Sequence, residues 1–460
     1  MRIGFYTLGC KVNQYETEAM KEKFLKAGHF IASIEGDSDE AEADEEMPKS
    51  ASGTAEADAY IINTCTVTNM ADRKSRQFIR RAKRINPEAI IAVVGCYAQV
   101  DPEAVSEIEG VDIVLGTNEK SKIVEVIEDK VGAKGTFKSV LTRDELTEYM
   151  SDGVITAMDS RTRAYIKIQE GCDRFCSYCI IPYARGPVRS REEDEIIEEA
   201  RRLIDAGFKE IVLTGINTAL YGSERNQRNG HMEKVCEVPP LRQLIDRIAE
   251  IPGDFRIRLS SLEPNVMKAE DVLEIVGANK LCHHLHLSIQ SGSNNVLKAM
   301  NRRYTREEYL GIVNALHDFD PYFAVTTDII VGFPGETDDD FQDSIELVKT
   351  AGLSKVHVFP YSQRSGTVAA KMDNQIPAEE KKRRAKVLAE VSDEVARDFH
   401  EKCKNAIMKG LFEEVKSGKM TGYTDNYIRI YADANEELLN NLIDVKLTDL
   451  YLDGMQVELV

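Results

Sequence analysis

Nine cysteines stand in this 460-residue chain, and six of them fall where sulfur chemistry has a use. Cys172-Asp-Arg-Phe-Cys176-Ser-Tyr-Cys179 puts three thiols on one tight loop with CxxxCxxC spacing. Thiolates so spaced fit iron–sulfur or zinc chemistry. Zinc asks for a fourth protein ligand, and no histidine follows at finger spacing. Three thiolates that each hold one iron of a four-iron cubane leave the fourth iron open to an external chelator. A second trio is dispersed. Cys10, Cys65 and Cys96 each end a strand-like run, Arg2–Leu8, Ala59–Asn63 and Ile90–Val94 respectively. The carboxyl ends of an open parallel sheet gather ligands, so three cysteines at such ends can converge although far apart in sequence. The bland alternative is that they pack as small apolar core residues; the repeated strand-end placement favours a second three-thiolate site. Cys236 in a polar loop, Cys282 before a strand and Cys403 on a long helix are assigned to no cluster.

The elements that must position these sulfurs can be read from periodicity. Up to about Val140, strand-like segments alternate with helical ones (Gln14–Ala27, Asp72–Ile85, Lys120–Lys130), which implies an open parallel sheet. Residues 36–57 interrupt this with Glu, Asp, Ala, Ser and Gly and read as a solvated acidic loop. Six strand candidates follow: Ala164–Gln169, Glu210–Thr214, Arg256–Ser260, His284–Ile289, Val325–Val331 and Lys355–Pro360. Alternating with helices, they suit a partial (β/α)6 barrel, and CxxxCxxC sits on the loop after its first strand, where such barrels carry chemistry. Pro377 opens a long helix expected over Ala378–Met408, stopped by Gly410. Short strands at Leu411–Val415, Tyr427–Ala432, Leu442–Thr448 and Gln456–Val460 suggest a small antiparallel β-barrel. The fold class is α/β. The expected domains are 1–140, 158–388, and 389–460 with the linking helix.

Charge sets further bounds. The net charge is −19, with 59 basic and 78 acidic residues. Residues 35–58 hold ten acids against one Lys49. Residues 72–84 hold seven bases, Arg73, Lys74, Arg76, Arg80, Arg81, Lys83 and Arg84, against Asp72. A local basic face, not the global balance, decides phosphate binding. Phe78, Ala82 and Ile85 would be buried, with Arg73, Arg76, Arg80 and Arg84 on another face. Arg302, Arg303 and the arginines between Arg185 and Arg191 are weaker candidates for anion contacts. Residues 404–460 carry six bases and ten acids, so bulk charge gives this tail no hold on RNA. Tyr423, Tyr427 and Tyr431 could stack on bases or fill the barrel core. His284 and His286 share a strand face and read as packing groups. No run approaches the roughly 18 apolar residues of a membrane span, and the first residues do not form a secretory signal. A cytoplasmic protein with no membrane partner is expected.

CxxxCxxC at the start of such a barrel resembles the radical S-adenosylmethionine superfamily. The resemblance implies that the open iron takes S-adenosylmethionine. Gly215 and Asn217 after strand two would lie where the family meets the methionine amine, and Ser260 and Glu263 at strand three where it binds ribose or the methionyl carboxylate. Arg258 opens that same strand-three segment. Gln290 and Ser291 follow strand four, and Asp328, Gly332 and Glu336 match the backbone motif near adenine. The three-cysteine sheet ahead of this barrel resembles the methylthiotransferases. Thr7–Glu18 (TLGCKVNQYETE), Asn63-Thr64-Cys65, Gly95-Cys96 and Gly171-Cys172 through Arg191 match their motifs, and the tail looks like their TRAM domain. LGCKVNQYETE most resembles the branch acting on N6-threonylcarbamoyladenosine, 3′-adjacent to the tRNA anticodon.

That resemblance implies two 4Fe-4S clusters, on Cys10, Cys65, Cys96 and on Cys172, Cys176, Cys179, with S-adenosylmethionine as both radical source and methyl donor. It also implies a tRNA substrate, a low-potential electron donor and a sulfur donor; the sequence leaves the oligomeric state open, with a monomer the default expectation. The methylthio group goes to C2 of the adenine; no acid–base residue is named. Alternatives are a sister enzyme acting on isopentenyladenosine or on a ribosomal aspartate, a two-cluster electron carrier, and an RNA-binding module with structural clusters.

Overall fold

In the computed structural model, residues 1–32, 56–66, 69–156, 162–228, 231–232, 238–264 and 268–460 are described. The acidic loop up to residue 55, Cys236 and the boundary expected at residue 158 lie outside them. The chain divides into two units. One comprises residues 1–155, 170–174 and 179–189; the other comprises 156–169, 175–178 and 190–460.

The first unit is a six-stranded parallel sheet. Its strands are β1 (Arg2–Thr7), β2 (Phe30–Ala32), β3 (Ala59–Thr64), β4 (Ile90–Gly95), β5 (Ile113–Leu115) and β6 (Phe137–Ser139), in spatial order β2-β1-β3-β4-β5-β6. Helices α1 (Lys11–Lys26), α2 (Asn69–Ile85), α3 (Cys96–Val100), α4 (Pro102–Ser106) and α5 (Ile123–Lys130) cover its faces. Strand alternation decides which face each residue serves. Ala59 and Ile61 of β3, with Ala92 and Val94 of β4, pack with Met20, Phe24, Ile123 and Ile127 of α1 and α5. Tyr60, Ile62, Ile91 and Val93 pack with Phe78, Ile79 and Ala82 of α2 and with Ala98 and Val105. Two covered faces explain why these strands read as continuous apolar runs. Strand order reverses between β1 and β3, so the connections leaving them diverge and open a crevice at their carboxyl ends. β2 and β6 escape sequence reading because they are three-residue edge strands with exposed Phe30 and Phe137.

From the second unit, β7 (Arg163–Glu170) leads through α6 (Ile181–Arg185), which belongs to the first unit, to β8 (Arg189–Ser190), α7 (Glu193–Asp205) and β9 (Glu210–Gly215). A short hairpin, β10 (Gln227–Arg228) and β11 (His231–Met232), precedes α8 (Pro240–Ala249), β12 (Arg256–Leu259) and α9 (Ala269–Val276). Then come β13 (His284–His286), α10 (Asn294–Ala299), α11 (Arg306–Phe319), β14 (Ala324–Val331), α12 (Asp338–Thr350) and β15 (Lys355–Pro360). The sheets β12-β9-β7-β8 and β13-β14-β15 are joined by parallel bridges Ile257↔Leu281 and Leu262↔Leu287. The result is the expected partial (β/α)6 barrel. Regular pairing in β13 stops at His286, three residues earlier than expected, and resumes as isolated bridges.

Helix α13 (Ala378–Lys402) ends at Lys402, not at Met408. Ile407 already begins β16 (Ile407–Lys416), so Gly410 is a strand residue, packed so closely that a Cβ would strike Ile430 and Val445. The tail is a closed five-stranded barrel in order β16-β17-β18-β20-β19. β17 (Lys419–Thr424) is not evident from the sequence, β18 is Arg429–Asp433, β19 is Leu442–Tyr451 and β20 is Gly454–Leu459. All pairings are antiparallel except β18–β20. Phe399 and Cys403, in and just after α13, enter this core beside Phe412, Met420 and Met455. Glu210 ties the tail to the barrel strands. It receives Arg256 Nε at 2.6 Å and Arg258 Nε at 2.7 Å, and those guanidiniums also bond the carbonyls of Lys409, Tyr423, Thr424 and Asp425. Arg258 is therefore a joint residue, not a cofactor contact. Tyr423 and Tyr427 stack at 4.8 Å beside Arg163, so they are committed to the same joint.

Candidate functional site

Cys10 caps the N-terminus of α1, Cys65 follows β3 and Cys96 opens α3 after β4. β1, β3 and β4 are adjacent, and the register pairs Thr64 with Gly95 and Thr7 with Asn63. The dispersed trio therefore sits at three neighbouring carboxyl ends, at the crevice opened by the strand-order reversal. Gly9, at φ +115°, is required by close approach: a Cβ there would meet Cys65 Cβ at 2.8 Å and Sγ at 3.0 Å. Asn13 Nδ2 donates to Leu8 O at 2.7 Å and Thr64 O at 3.0 Å, tying the turns that carry Cys10 and Cys65. Burial pushes the Cys96 thiol's pKa up, opposed by Arg185, whose Nε lies 3.1 Å from the sulfur; Cys10 also raises it, so the two thiols feel each other.

The CxxxCxxC loop leaves β7 through Gly171, whose φ of +75° and contact with the Pro187 carbonyl leave no room for a Cβ. Cys172 N donates to Gly186 O at 3.0 Å in the first unit. Cys176 belongs to the second unit and acts electrostatically on Arg302 and Tyr304. All six cysteines are thiols. Among the described residues no three thiol, imidazole or carboxylate groups form a single-ion site. A cubane takes each thiolate on a different iron.

Within the barrel, a polar network joins several of the expected ligand residues. Asn217 N donates to Gln169 Oε1 at 2.8 Å, and Asn217 Nδ2 to Glu263 Oε2 at 2.9 Å. Arg302 Nη1 donates to Glu263 Oε1 at 2.9 Å and Nη2 to Tyr178 OH at 2.6 Å. Burial works against the Arg302 charge, but Tyr178, Tyr304, Cys176 and Glu263 together hold its pKa well above the ordinary value. Tyr304 OH donates to the carbonyls of Ser288 and Ile289, and Ser288 Oγ to Asp328 Oδ2 at 3.0 Å. His286 bonds the same Asp328 oxygen at 3.0 Å, and His284 and His286 share Thr326 Oγ1, so both histidines pack and bond as expected. Gly215 lies opposite Gln169, Ser260 N bonds Leu213 O, and Ser291 Oγ shapes the turn at Ser293. Gln290 holds φ +73°, a strained conformation for a side-chain-bearing residue.

Gly332 and Glu336 stand apart from this network. Glu336 accepts from Gly332 N at 2.6 Å and pairs with Arg384 of α13 at 2.6 Å, which anchors that helix. The arginines considered for anion contact are turned inward. Arg185 meets Glu16 and Glu170, Arg189 meets Asn118, and Arg191 meets Glu195 and Glu199; only Arg303 is exposed. Sequence reading missed Tyr178, Tyr304, Glu16 and Glu170. Tyr178 lies inside the cysteine motif itself and Glu16 inside the Thr7–Glu18 motif; Glu170 and Tyr304 carry no local signal.

Residues 166–348 match the family model for the Radical SAM superfamily, and residues 41–116 match Uncharacterized protein family UPF0004. The Radical SAM family implies a 4Fe-4S cluster and S-adenosylmethionine. The chain offers soft thiol donors for the cluster. Buried Asn217 Oδ1 and Thr214 Oγ1 lack a hydrogen-bond partner beside the network, which fits a polar ligand there. The fold is similar to a radical S-adenosylmethionine methyltransferase, TsrM, from Kitasatospora setae, with TM-score 0.55 and 14% identity, covering 78% of this chain and 72% of that one. The tRNA-2-methylthio-N(6)-dimethylallyladenosine synthase of Clostridium tetani (strain Massachusetts / E88) is 34% identical, over 98% of this chain and 95% of its own length. Threonylcarbamoyladenosine tRNA methylthiotransferase MtaB of Bacillus subtilis (strain 168) is 39% identical, over 100% of this chain and 97% of its own length. Similarity of that extent, end to end, makes this chain a member of the radical S-adenosylmethionine methylthiotransferase family, enzymes that transfer a methylthio group.

Proposed function

We propose that this chain methylthiolates C2 of N6-threonylcarbamoyladenosine in tRNA, 3′-adjacent to the anticodon. It would use two 4Fe-4S clusters, held by Cys10, Cys65, Cys96 and by Cys172, Cys176, Cys179. The observation that carries the two-cluster reading is the placement of Cys10, Cys65 and Cys96 at three adjacent strand ends beside a strand-order reversal. The threonylcarbamoyl substrate is supported by the 39% identity to the Bacillus subtilis enzyme, against 34% to the Clostridium tetani one. When bound, the cofactors supply the sulfur unit, the methyl group and the radical that takes hydrogen from C2.

The chain's own residues bind and orient. Asn217 presents an unsatisfied carbonyl oxygen, Glu263 is fixed by Asn217 and Arg302, and Asp328 is held by His286 and Ser288. Gly215, Ser260, Gln290, Ser291, Gly332 and Glu336 shape the backbone around S-adenosylmethionine in this reading. On α2, Arg73, Lys74, Arg76, Arg80 and Arg84 are exposed, Arg76 donating to Tyr97 OH at 2.6 Å, while Ser75, Phe78, Ile79 and Ala82 are buried. That face would take tRNA phosphates. An electron donor and a sulfur donor are required, and the protein would work in the cytoplasm; among the described residues no helix is long and apolar enough to cross a membrane. The division 1–140, 158–388 and 389–460 completes the proposal.

Mass spectrometry of tRNA nucleosides from a strain lacking this chain tests it. Methylthio-threonylcarbamoyladenosine should vanish, leaving threonylcarbamoyladenosine. An unchanged level rejects the substrate, and loss of a methylthiolated isopentenyladenosine would transfer the assignment to the sister reaction.

A further inference from the structure

Arg185 is fully buried, and its guanidinium is engaged on every edge. Nη1 reaches Glu16 Oε1 at 2.5 Å and Glu170 Oε2 at 3.2 Å. Nη2 reaches Asn13 Oδ1 at 2.6 Å and Glu16 Oε2 at 3.2 Å. That leaves Nε, which points at Cys96 Sγ from 3.1 Å. A planar fork pinned on two edges cannot rotate, so the third edge is aimed by the other two. Asn13, held by Arg185, in turn bonds the carbonyls of Leu8 and Thr64, close to Cys10 and Cys65 in the chain. One guanidinium thus touches one cysteine of the trio directly and braces the backbone of the other two.

Fixing the trio alone would not require charge. Lys120 pairs with Glu16 in the same pocket, so two cations face two carboxylates, Glu16 and Glu170. The carboxylates hold the fork, and the N–H left over meets sulfur. Hydrogen bonds to cluster sulfurs and local charge are what set iron–sulfur potentials. A donated N–H stabilises the more negative, reduced state and so raises the potential.

Resting on the reading of Cys10, Cys65 and Cys96 as cluster ligands, we infer that Arg185 is a positioning residue that tunes the N-terminal cluster through Nε–H···Sγ of Cys96, making it easier to reduce. The full chain carrying Cys172→Ala, Cys176→Ala and Cys179→Ala isolates this cluster. After anaerobic reconstitution, its iron and sulfide are counted and its midpoint is read by redox titration with electron paramagnetic resonance. The same is done with Arg185→Lys, which keeps the charge and loses Nε–H, and with Arg185→Gln. With iron content unchanged, both variants should lower the midpoint, Arg185→Gln by a shift equivalent to about tenfold in the reduced-to-oxidised ratio at fixed poise, about 59 mV for one electron. An unmoved midpoint with full iron overturns the inference. So does loss of iron in both variants, which would make Arg185 a structural strut. If the parent triple variant takes up no iron, it is the cluster assignment that fails, and not the role of Arg185.

Discussion

Arg302 Nη1 and Glu263 Oε1 lie 2.9 Å apart, with each side chain only 8% exposed. Neither charge is stable there alone, and together they present Tyr178, within the cysteine motif, and Asn217, after strand β9, to one region of the barrel. Arg302→Met strands a buried carboxylate. It should lower 5′-deoxyadenosine formation about 10- to 100-fold, as loss of a supporting partner does at metal sites. Arg302→Lys should recover part of this. The assay is product release from reconstituted, reduced protein; an unaffected rate in Arg302→Met would remove the network from the site.

Glu210 supports the joint between the barrel and the tail. Burial disfavours its charge, but Arg258 and Arg256 outweigh burial and hold its pKa well below the usual 4.5. Because folding lowers this pKa, the carboxylate's contribution is complete above about 4.5 and is lost as pH falls through the depressed folded value. Glu210→Gln should cost about 3–5 kcal/mol at neutral pH, because two arginines lose their counterion. Denaturant melts of the two proteins should converge in acid. A constant difference at every pH would contradict the assignment.

The exposed basic face of α2 predicts a salt-dependent hold on tRNA. Arg73→Gln, Arg80→Gln and Arg84→Gln combined should weaken binding across tRNAs. The slope of log affinity against log salt should flatten by about 0.7–0.9 for each phosphate no longer neutralised. Filter binding at several salt concentrations measures this. An unchanged slope would place the phosphate-binding face elsewhere.

Cys176→Ala should abolish turnover while tRNA affinity is largely kept, since the loop that carries it is shaped by backbone interactions such as Cys172 N to Gly186 O and by Gly171. Loss of folding instead would favour structural clusters.

Both cysteine trios and the sheet ends that carry the first one could be read from sequence, because strand-then-Gly-Cys at Cys10 and Cys96, a strand running into Cys65, and CxxxCxxC are local patterns. The α13 terminus could not: a helical stripe continues in sequence past Lys402, while pairing of Ile407–Leu411 with Leu442–Lys446 captures those residues as a strand. β17 escapes a reading by pattern because its Gly422 and polar Lys419 and Thr421 mimic a turn, yet Met420 fills the barrel core. Arg185, Arg191 and Arg258 look like anion binders in sequence because charge is local and its burial is not; their partners lie as far away as Glu16. The same limit hides Tyr304, whose use depends on Arg302 and on two carbonyls of the preceding strand end.

The proposed reaction rests on two separate cysteine trios, each of which would hold a four-iron cubane. Anaerobic reconstitution with iron and sulfide analysis decides whether they exist. Two cubanes per wild-type chain are expected, and one in each triple alanine variant, whether at Cys10, Cys65, Cys96 or at Cys172, Cys176, Cys179. One cubane in the wild type, unchanged when Cys10, Cys65 and Cys96 are replaced, would refute the two-cluster reading.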